Sequence, residues 1–359
     1  MSAVPTHPTG AQRVALVTGA TGVVGRNLLA HLCNDGQWQV YAVSRRKPDV
    51  AGRYTHLPVN LLDRDACAQS LGALADVTHI FHAAYSEHAD AAAMVAPNLA
   101  LLRNVVECIE PVARGLAHVL FMQGTKYYGS HLGPFKTPAR EDDSRHMSPN
   151  FYYDLQDYLA ERQHGKRWTW TAPRPHAVIG FALGNPMNLA SVIAVYATLC
   201  KALDLPLAFP GTEAAYRALY QCTDAGLLAR AMTWMATEPA CANQAYNVVN
   251  GDPIRWQNVW PSFARFFGLE PVPPRRLNLM QTMADKGALW QQLVAAHGLG
   301  PYRYEDLVSW RYGDFVFSSG HDIVSDMGKA WRAGFHEVVD TEAMFLRVFE
   351  SYRRDGIIP

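Results

Sequence analysis

Two adjacent tyrosines, Tyr152 and Tyr153, stand where a helix is expected to begin, in the stretch PNFYYDLQD. A tyrosine hydroxyl can act as the acid of a reduction, and a nearby cation favours its phenolate form whereas a carboxylate opposes it. Asp157 follows Tyr153 by four residues and shares its helix face. Tyr153 is therefore either a packing residue or a reacting phenol whose cation comes from elsewhere in the chain.

Lys126 is the candidate for that cation. It follows the apolar run AHVLFMQG, a predicted strand that ends at Gly124. Ligands of open α/β sheets bind beyond the carboxyl ends of the strands, so Lys126 is predicted at the rim of the binding crevice, near the start of the tyrosine helix. The alternative is a lysine on a loop that faces solvent.

A glycine-rich turn, GATGVVG, joins the first predicted strand to a helical pattern. In a dinucleotide-binding turn the first glycine permits the tight bend, the second lets the backbone approach pyrophosphate, and the third lets helix pack on strand. The phosphates then lie at the helix N-terminus. The alternative is a flexible surface loop. We predict cofactor contacts from Gly19, Thr21, Gly22, Val23, Val24 and Gly25.

The end of the second predicted strand indicates the choice of cofactor. NAD-binding proteins usually carry an acid there for the ribose 2′-hydroxyl, whereas this chain has Ser44, Arg45 and Arg46. A guanidinium suits a 2′-phosphate, so NADPH is the predicted cofactor, with a solvated basic turn as the alternative. Asn60 and Leu61 are placed to meet adenine. The remaining predicted cofactor contacts are Ala83, Ala84, Tyr153, Pro175 and Val178.

The elements that must position these residues alternate between strand-like and helix-like patterns. Five apolar runs bounded by turn signals lie at residues 13–19, 38–44, 77–84, 117–124 and 168–175. Such alternation predicts right-handed βαβ units and an α/β fold with a doubly wound parallel sheet. We predict a Rossmann domain over residues 11–178, to which residues 219–250 return. A smaller, mainly helical substrate domain would comprise residues 179–218 and 251–359.

The C-terminal part is rich in aromatic residues, with seventeen between Trp256 and Tyr352. Most aromatic residues pack in cores, but this density favours an apolar substrate wall over one that binds a sugar phosphate. Tyr312 and Phe315 belong to the densest run. A small apolar substrate is therefore predicted.

Composition excludes several other classes of function. The chain has 359 residues with 32 basic and 32 acidic side chains, so no overall charge recruits nucleic acid. No segment resembles a signal peptide or a run of ~18 apolar residues, which predicts a cytoplasmic protein without a membrane anchor. The six cysteines form no C-x-x-C pair, so neither a metal site nor a disulfide framework is expected. The sequence leaves the oligomeric state open, a homodimer included.

The motifs resemble those of extended short-chain dehydrogenase/reductases, and within them the progesterone 5β-reductase and iridoid synthase group. The similarity covers almost the whole chain, and the short motifs GTK and NFYY are its specific part. The other matching stretches are GATGVVG, SRR, LGPFK, RPHAVIG, QCTDAG, AYNVVNGD and SDMGKAWRAGF. The stretch HAAYSEH departs from the plant enzymes, which bears on the substrate pocket.

The resemblance also implies roles for the site residues. Most of the superfamily uses a tyrosine followed four residues later by lysine, and a serine at the strand end. Here those positions are Tyr153, Asp157 and Gly124. The 5β-reductase group resembles this chain in that departure and uses a lysine like Lys126 with a tyrosine of the NFYY motif. Spacing from Pro149 favours Tyr153 over Tyr152 as the catalytic partner of Lys126.

The implied chemistry is conjugate reduction. Reducing a ketone directly makes an alkoxide that needs a proton at once, whereas hydride addition to the β-carbon of an enone makes an enolate that needs oxyanion stabilisation first. A tyrosine hydroxyl and a lysine supply that stabilisation without a serine. We therefore predict an NADPH-dependent reductase of C=C bonds in enones or enals. The alternatives are a carbonyl reductase or alcohol dehydrogenase acting on C=O, and a non-catalytic NADP(H)-binding regulatory protein.

Overall fold

A parallel sheet of seven strands lies at the centre of the fold, in the order β11-β6-β5-β4-β1-β2-β3. The computed structural model describes residues 12–88, 90–182, 184 and 187–359. Its strands, in chain order, are β1 (Arg13–Thr18), β2 (Trp38–Val43), β3 (Thr55–Leu57), β4 (His79–His82), β5 (His118–Phe121), β6 (Thr169–Arg174), β7 (Val178–Ile179), β8 (Leu207–Ala208), β9 (Leu219–Tyr220), β10 (Thr223–Asp224), β11 (Gln244–Asn247), β12 (Ile254–Arg255) and β13 (Pro271–Val272).

The five strands predicted from apolar runs are β1, β2, β4, β5 and β6, and the sheet adds β3 and β11 at its edges. All neighbouring pairs in this sheet are parallel. The strand order reverses between β1 and β4, and ligands of such sheets bind at the carboxyl ends beside that reversal. The predicted doubly wound α/β fold is confirmed.

Fourteen α-helices lie in the described residues, and some of them cover both faces of the sheet. They are α1 (Val23–Asp35), α2 (Arg64–Leu71), α3 (Ala91–Ile109), α4 (Phe151–Gln163), α5 (Leu189–Ala202), α6 (Glu213–Arg217), α7 (Ala225–Thr237), α8 (Trp256–Phe267), α9 (Leu279–Thr282), α10 (Gly287–His297), α11 (Tyr304–Leu307), α12 (Trp310–Phe317), α13 (Gly328–Arg332) and α14 (Thr341–Arg354). On one face α1 packs beside α7, and on the other α3 packs between α2 and α4. Burial of these apolar helix faces against the strands holds the layers together.

A separate apolar core lies in the C-terminal half, formed by buried residues between Ile179 and Ile358. Trp256, Trp260 and Phe345 are fully buried in it. These three aromatic residues therefore pack in a core and do not line a substrate pocket. This core supports the predicted division into two domains, which stays a prediction. The first residue of the predicted Rossmann domain, residue 11, lies outside the described residues.

Helix α3 alone, among the described residues, is long and apolar enough to span a membrane by length and composition. Its side chains Leu102, Val105 and Val106 are fully buried in the layer between α2 and α4. Apolar side chains of α3 therefore pack in the core of this domain.

Candidate active site

The glycine turn after β1 is shaped by a close approach of two backbone segments. Gly19 has a φ of +65°, and a Cβ there would lie 2.5 Å from the carbonyl oxygen of Ala83. A Cβ at Gly25 would collide with the carbonyl of Gly19, so α1 can pack this closely only without a side chain. Ala84 donates its backbone N–H to the Thr18 hydroxyl at 3.3 Å. The turn and the end of β4 thus lie together, as a dinucleotide site requires.

The N-terminus of α1 has neither a side-chain cap nor an acidic residue that would repel a phosphate group. Gly22 is the N-cap and provides no side-chain cap, and the first turn contains no acidic residue. Val23 is buried, and Val24 is half-buried against the core. Thr21 precedes them on the same turn. Backbone N–H groups at such a helix start suit the pyrophosphate of a dinucleotide, so the predicted residues fit this group.

The basic turn after β2 is open to solvent. Arg45 and Arg46 are exposed, and neither forms an ion pair within the described part of the chain. Ser44 is buried and donates its hydroxyl to the carbonyl of Arg46 at 2.6 Å, which shapes the turn. Two unpaired guanidinium groups beside the sheet's carboxyl edge are available to an anionic group of a cofactor.

Asn60 and Leu61 differ in exposure. Leu61 is buried, and its carbonyl accepts a hydrogen bond from the Asn104 side chain. Asn60 is exposed, and its side-chain oxygen accepts the backbone N–H of Leu62 at 3.3 Å. That oxygen keeps a second lone pair for a ligand. Val178 lies in β7, which pairs with β10.

The rim after β5 brings together Gly124 and Tyr152. The backbone N–H of Thr125 donates to the carbonyl of Pro175 at 3.2 Å, so the ends of β5 and β6 are joined there. A Cβ built on Gly124 would lie 3.2 Å from the Tyr152 hydroxyl oxygen. The phenol therefore occupies the space next to the position where the superfamily carries a serine, and the glycine makes room for it.

Tyr153 points into a different environment. Its hydroxyl donates to the carbonyl of Tyr127 at 2.6 Å and accepts the backbone N–H of His146 at 3.2 Å. Its ring is 4% exposed and packs edge-on against Tyr127. These contacts disagree with the prediction that Tyr153 is the reacting phenol and a cofactor contact, because both hydrogen-bonding functions of its hydroxyl are used by the backbone. They fit the alternative of a packing residue, and Tyr152 is the ring at the rim.

Asp157 has its own cation. Arg145 forms a bidentate ion pair with its carboxylate, with N–O distances of 2.6 and 2.8 Å. The same guanidinium lies over the Tyr153 ring, 4.9 Å from its centroid. The carboxylate is thus neutralised on the Tyr153 side of α4.

Lys126 is held at the rim through its backbone. The Asn150 side chain caps α4 by accepting the N–H of Tyr152, and it also donates to the Lys126 carbonyl at 2.8 Å. The Lys126 ammonium lies 5.5 Å from the centroid of the Phe315 ring. Burial lowers the pKa of this ammonium, and the charge of Glu87 opposes that effect. One asparagine therefore ties the start of the tyrosine helix to the segment that carries the lysine.

Sequence reasoning missed His176, which follows Pro175 in RPHAVIG. Its Nδ1 lies 2.6 Å from the Thr125 hydroxyl, and its ring packs edge-on against Tyr220 at 4.8 Å. Burial, followed by the charge of Lys126, lowers its pKa to about 3. Tyr312, on the C-terminal helix α12, packs on Phe315 with ring centroids 6.5 Å apart. The charge of Lys126 thus acts on a buried imidazole, and an aromatic ring lies against its ammonium. The position of His176 after a strand end was the available signal.

Among the described residues, no group of three or more His, Cys, Asp or Glu side chains is placed to hold a metal ion. All six cysteines are free.

Comparison with known proteins places this arrangement in a family. Residues 63–359 match the family described as the PRISE-like Rossmann-fold domain, and the chain therefore belongs to that family. The resemblance inferred from the motifs is confirmed.

Curated relatives align over nearly their whole length. The chain is 32% identical to the (S)-8-oxocitronellyl enol synthase CYC2 of Camptotheca acuminata, covering 98% of this chain and 95% of that one. It is 30% identical to the 3-oxo-Delta(4,5)-steroid 5-beta-reductase of Arabidopsis thaliana, covering 97% and 94%.

Solved structures share the fold. The Bordetella bronchiseptica enzyme WbmG in complex with NAD has a TM-score of 0.68 at 17% identity, covering 98% of this chain and 97% of that one. The Thermus thermophilus UDP-glucose 4-epimerase complex with NAD has a TM-score of 0.64 at 17% identity, covering 95% and 99%. The chain therefore shares the Rossmann fold of these two NAD complexes.

Proposed function

We propose that this protein is an NADPH-dependent oxidoreductase that reduces activated C=C bonds of enones or enals. The observation that carries the proposal is the rim after β5, where the Tyr152 hydroxyl lies against Gly124 on the segment that bears Lys126. This rim has a phenol and an ammonium to bind an oxygen, and no serine at the strand end.

The names of the two curated relatives describe a single kind of chemical step. A 3-oxo-Δ4,5-steroid is a conjugated enone, and a 5-reductase acts on its β-carbon. An enol synthase forms an enol, which is the first product when an enal is reduced at its β-carbon. Both reactions need a site that stabilises an enolate oxygen. We infer the same step for this chain.

In the proposed mechanism the Tyr152 hydroxyl donates to the substrate carbonyl oxygen, and the Lys126 ammonium lies beside it. Bound NADPH supplies a hydride to the β-carbon. Negative charge then develops on the carbonyl oxygen, where prepositioned donors in a site that excludes water are each worth ~3 kcal/mol. Burial raises the pKa of Tyr152, so the phenol stays a hydrogen-bond donor at neutral pH. The enolate is protonated on carbon afterwards by water.

The aromatic rings near Lys126 support an apolar substrate. Phe315 is 41% exposed, and its ring lies against the lysine ammonium. Tyr312 stacks beside it. Such rings bind the hydrocarbon part of an enone and exclude water from the oxygen that accumulates charge.

NADPH rather than NADH is proposed from the basic turn. Arg45 and Arg46 would bind the 2′-phosphate, Asn60 and Leu61 would contact adenine, and the turn at Gly22 would hold the pyrophosphate. Unpaired guanidinium groups and the absence of an acid from Ser44 to Lys47 support this choice.

Product analysis tests the proposal. The purified protein would be incubated with NADPH and a panel of small enals, cyclic enones and steroid enones, with cofactor oxidation followed by absorbance. We expect saturated carbonyl products. An allylic alcohol would show direct reduction of C=O, and binding of NADPH without turnover of any substrate would favour a regulatory protein.

A further inference from the structure

Arg174, the last residue of β6, is a buried cation. It is 1% exposed, and no carboxylate oxygen lies within ion-pair distance of it in the described part of the chain. Its guanidinium lies 3.4 Å from the centroid of the Tyr127 ring. Burying a charge without an ion pair is costly unless hydrogen bonds replace its hydration. The hydrogen-bond partners of Arg174 therefore indicate what the buried guanidinium does.

Two of those partners are glutamine side chains: Gln123 follows β5, and Gln156 lies on α4. Arg174 donates from Nε to the side-chain oxygen of Gln123 at 2.8 Å and from Nη2 to that of Gln156 at 3.4 Å. It also donates to the Tyr128 hydroxyl at 3.0 Å and to the carbonyl of Glu141 at 3.2 Å. The guanidinium therefore joins β5 and α4 from beneath the rim.

Gln123 completes a connection to Tyr152. Its amide nitrogen donates to the Gln156 side chain at 3.0 Å and to the backbone carbonyl of Tyr152 at 3.2 Å. Because Arg174 takes the oxygen of this amide, the nitrogen must face α4. The orientation of Gln123 is therefore set by Arg174.

Gln156 lies four residues after Tyr152, hence on the same face of α4. With Tyr152 rather than Tyr153 as the reacting phenol, Gln156 rather than Asp157 stands where most of the superfamily carries a lysine. Here a neutral side chain accepts from a buried guanidinium, so a lysine ammonium would be brought next to a second cation without an acid to separate them.

We propose that Arg174 is a positioning residue for Tyr152. Through Gln123 and Gln156 it holds the first turn of α4 so that the phenol stays against Gly124, and it excludes a lysine from position 156. The inference rests on the proposed function, because it takes Tyr152 as the reacting phenol.

The test compares a single variant with a double variant in enone reduction. Gln156→Lys alone restores the superfamily's tyrosine–lysine spacing, yet we expect kcat to fall about tenfold or more, because charge repulsion displaces the turn and small misplacements are costly. Combining it with Arg174→Gln removes the second cation, so the double variant should be several-fold more active than Gln156→Lys. Gln163→Lys, the same change on the last turn of α4, is the matched control and should leave kcat unchanged.

The kinetic constants distinguish positioning from general damage. We expect the loss in kcat while the Kd for NADPH and the melting temperature stay close to those of the unmodified protein. A Gln156→Lys variant with full activity would overturn the proposal, as would a folded double variant that is no better than Gln156→Lys. If the double variant does not fold, Gln156→Met tests the proposal instead, because it removes the side-chain acceptor for Arg174 at similar volume. We expect a lower kcat for this variant, and an unchanged kcat would overturn the proposal.

Failure of the proposed function would look different. Tyr152→Phe, assayed in the same series, reports on the reacting phenol alone. Near-full activity of Tyr152→Phe would refute the assigned phenol, whereas a dead Tyr152→Phe with a fully active Gln156→Lys would refute only the role of Arg174.

Discussion

The most informative perturbation is a matched pair of phenylalanine substitutions at Tyr152 and Tyr153. The two residues are adjacent and the change removes one oxygen atom from each. Their environments are opposite, since one hydroxyl faces the rim at Gly124 and the other is bonded to backbone groups. The pair therefore separates catalysis from structure.

For Tyr152→Phe we expect kcat for enone reduction to fall roughly 10²–10³-fold, the effect of removing one oxyanion donor. Within the described residues the Tyr152 hydroxyl has no hydrogen-bond partner, so the folded protein loses no bond when it is removed. The melting temperature and the Kd for NADPH should stay unchanged. Such a loss in kcat marks an interaction made mainly in the transition state.

For Tyr153→Phe we expect the reverse. The change leaves the Tyr127 carbonyl without its donor and the His146 N–H without its acceptor, in a buried position. Unsatisfied buried groups cost about 1–3 kcal/mol of unfolding free energy. The melting temperature should fall by a few degrees while kcat changes little.

The assay is steady-state oxidation of NADPH with a cyclic enone, alongside thermal unfolding and a binding titration for each variant. If Tyr153→Phe abolishes turnover while Tyr152→Phe keeps it, the reacting phenol is Tyr153 and not Tyr152. If neither variant affects turnover, the rim at Gly124 is not where the reaction occurs.

Three further predictions concern charge. Replacing Arg45 and Arg46 by Glu should weaken NADPH binding about tenfold or more and favour NADH, because the guanidinium pair is replaced by repulsion of the 2′-phosphate; equal titrations of both cofactors by the unmodified protein would contradict this. Burial lowers the pKa of Lys126, so its charge is lost as pH rises, and the reaction rate should begin to decline at a pH below 10.5, the usual pKa of lysine. In a profile of rate against pH, Lys126→Arg should move that decline to higher pH. His82 is 2% exposed, and burial lowers its pKa to about 3, so its contribution to stability is present above pH 6.5 and lost as pH falls. At pH 5 the free energy of unfolding, measured by urea titration, should be lower by about 2 kcal/mol than above pH 6.5. The decrease should be smaller in His82→Gln.

Much of the fold could be predicted because its signals are local. The five central strands are continuous apolar runs, which a parallel sheet covered on both faces requires. Gly19 and Gly25 sit where any Cβ would meet backbone, so the turn has one acceptable residue type at each position. The edge strand β3 has three residues, none of them buried, and β11 begins and ends with a polar residue, so the apolar signal of both strands is weak.

The identity of the ring at the rim could not be predicted in the same way. Consecutive residues on a helix point about 100° apart, so Tyr152 and Tyr153 cannot both face the strand end. Which one does depends on the rotation of α4 about its axis. That rotation depends on contacts with distant residues: Asn150 with Lys126, Arg145 with Asp157, and Arg174 with Gln156.

By itself, the sequence determined the class of the fold, the glycine turn after β1 and the lysine that follows β5, because each depends on residue types at fixed spacing within one segment. Only the tertiary structure decided that Tyr152 lies at Gly124, that Phe315 lies against Lys126, and that Arg174 donates to Gln156. These contacts join residues far apart in the chain, and their directions follow from how helices and strands pack, which no local pattern specifies.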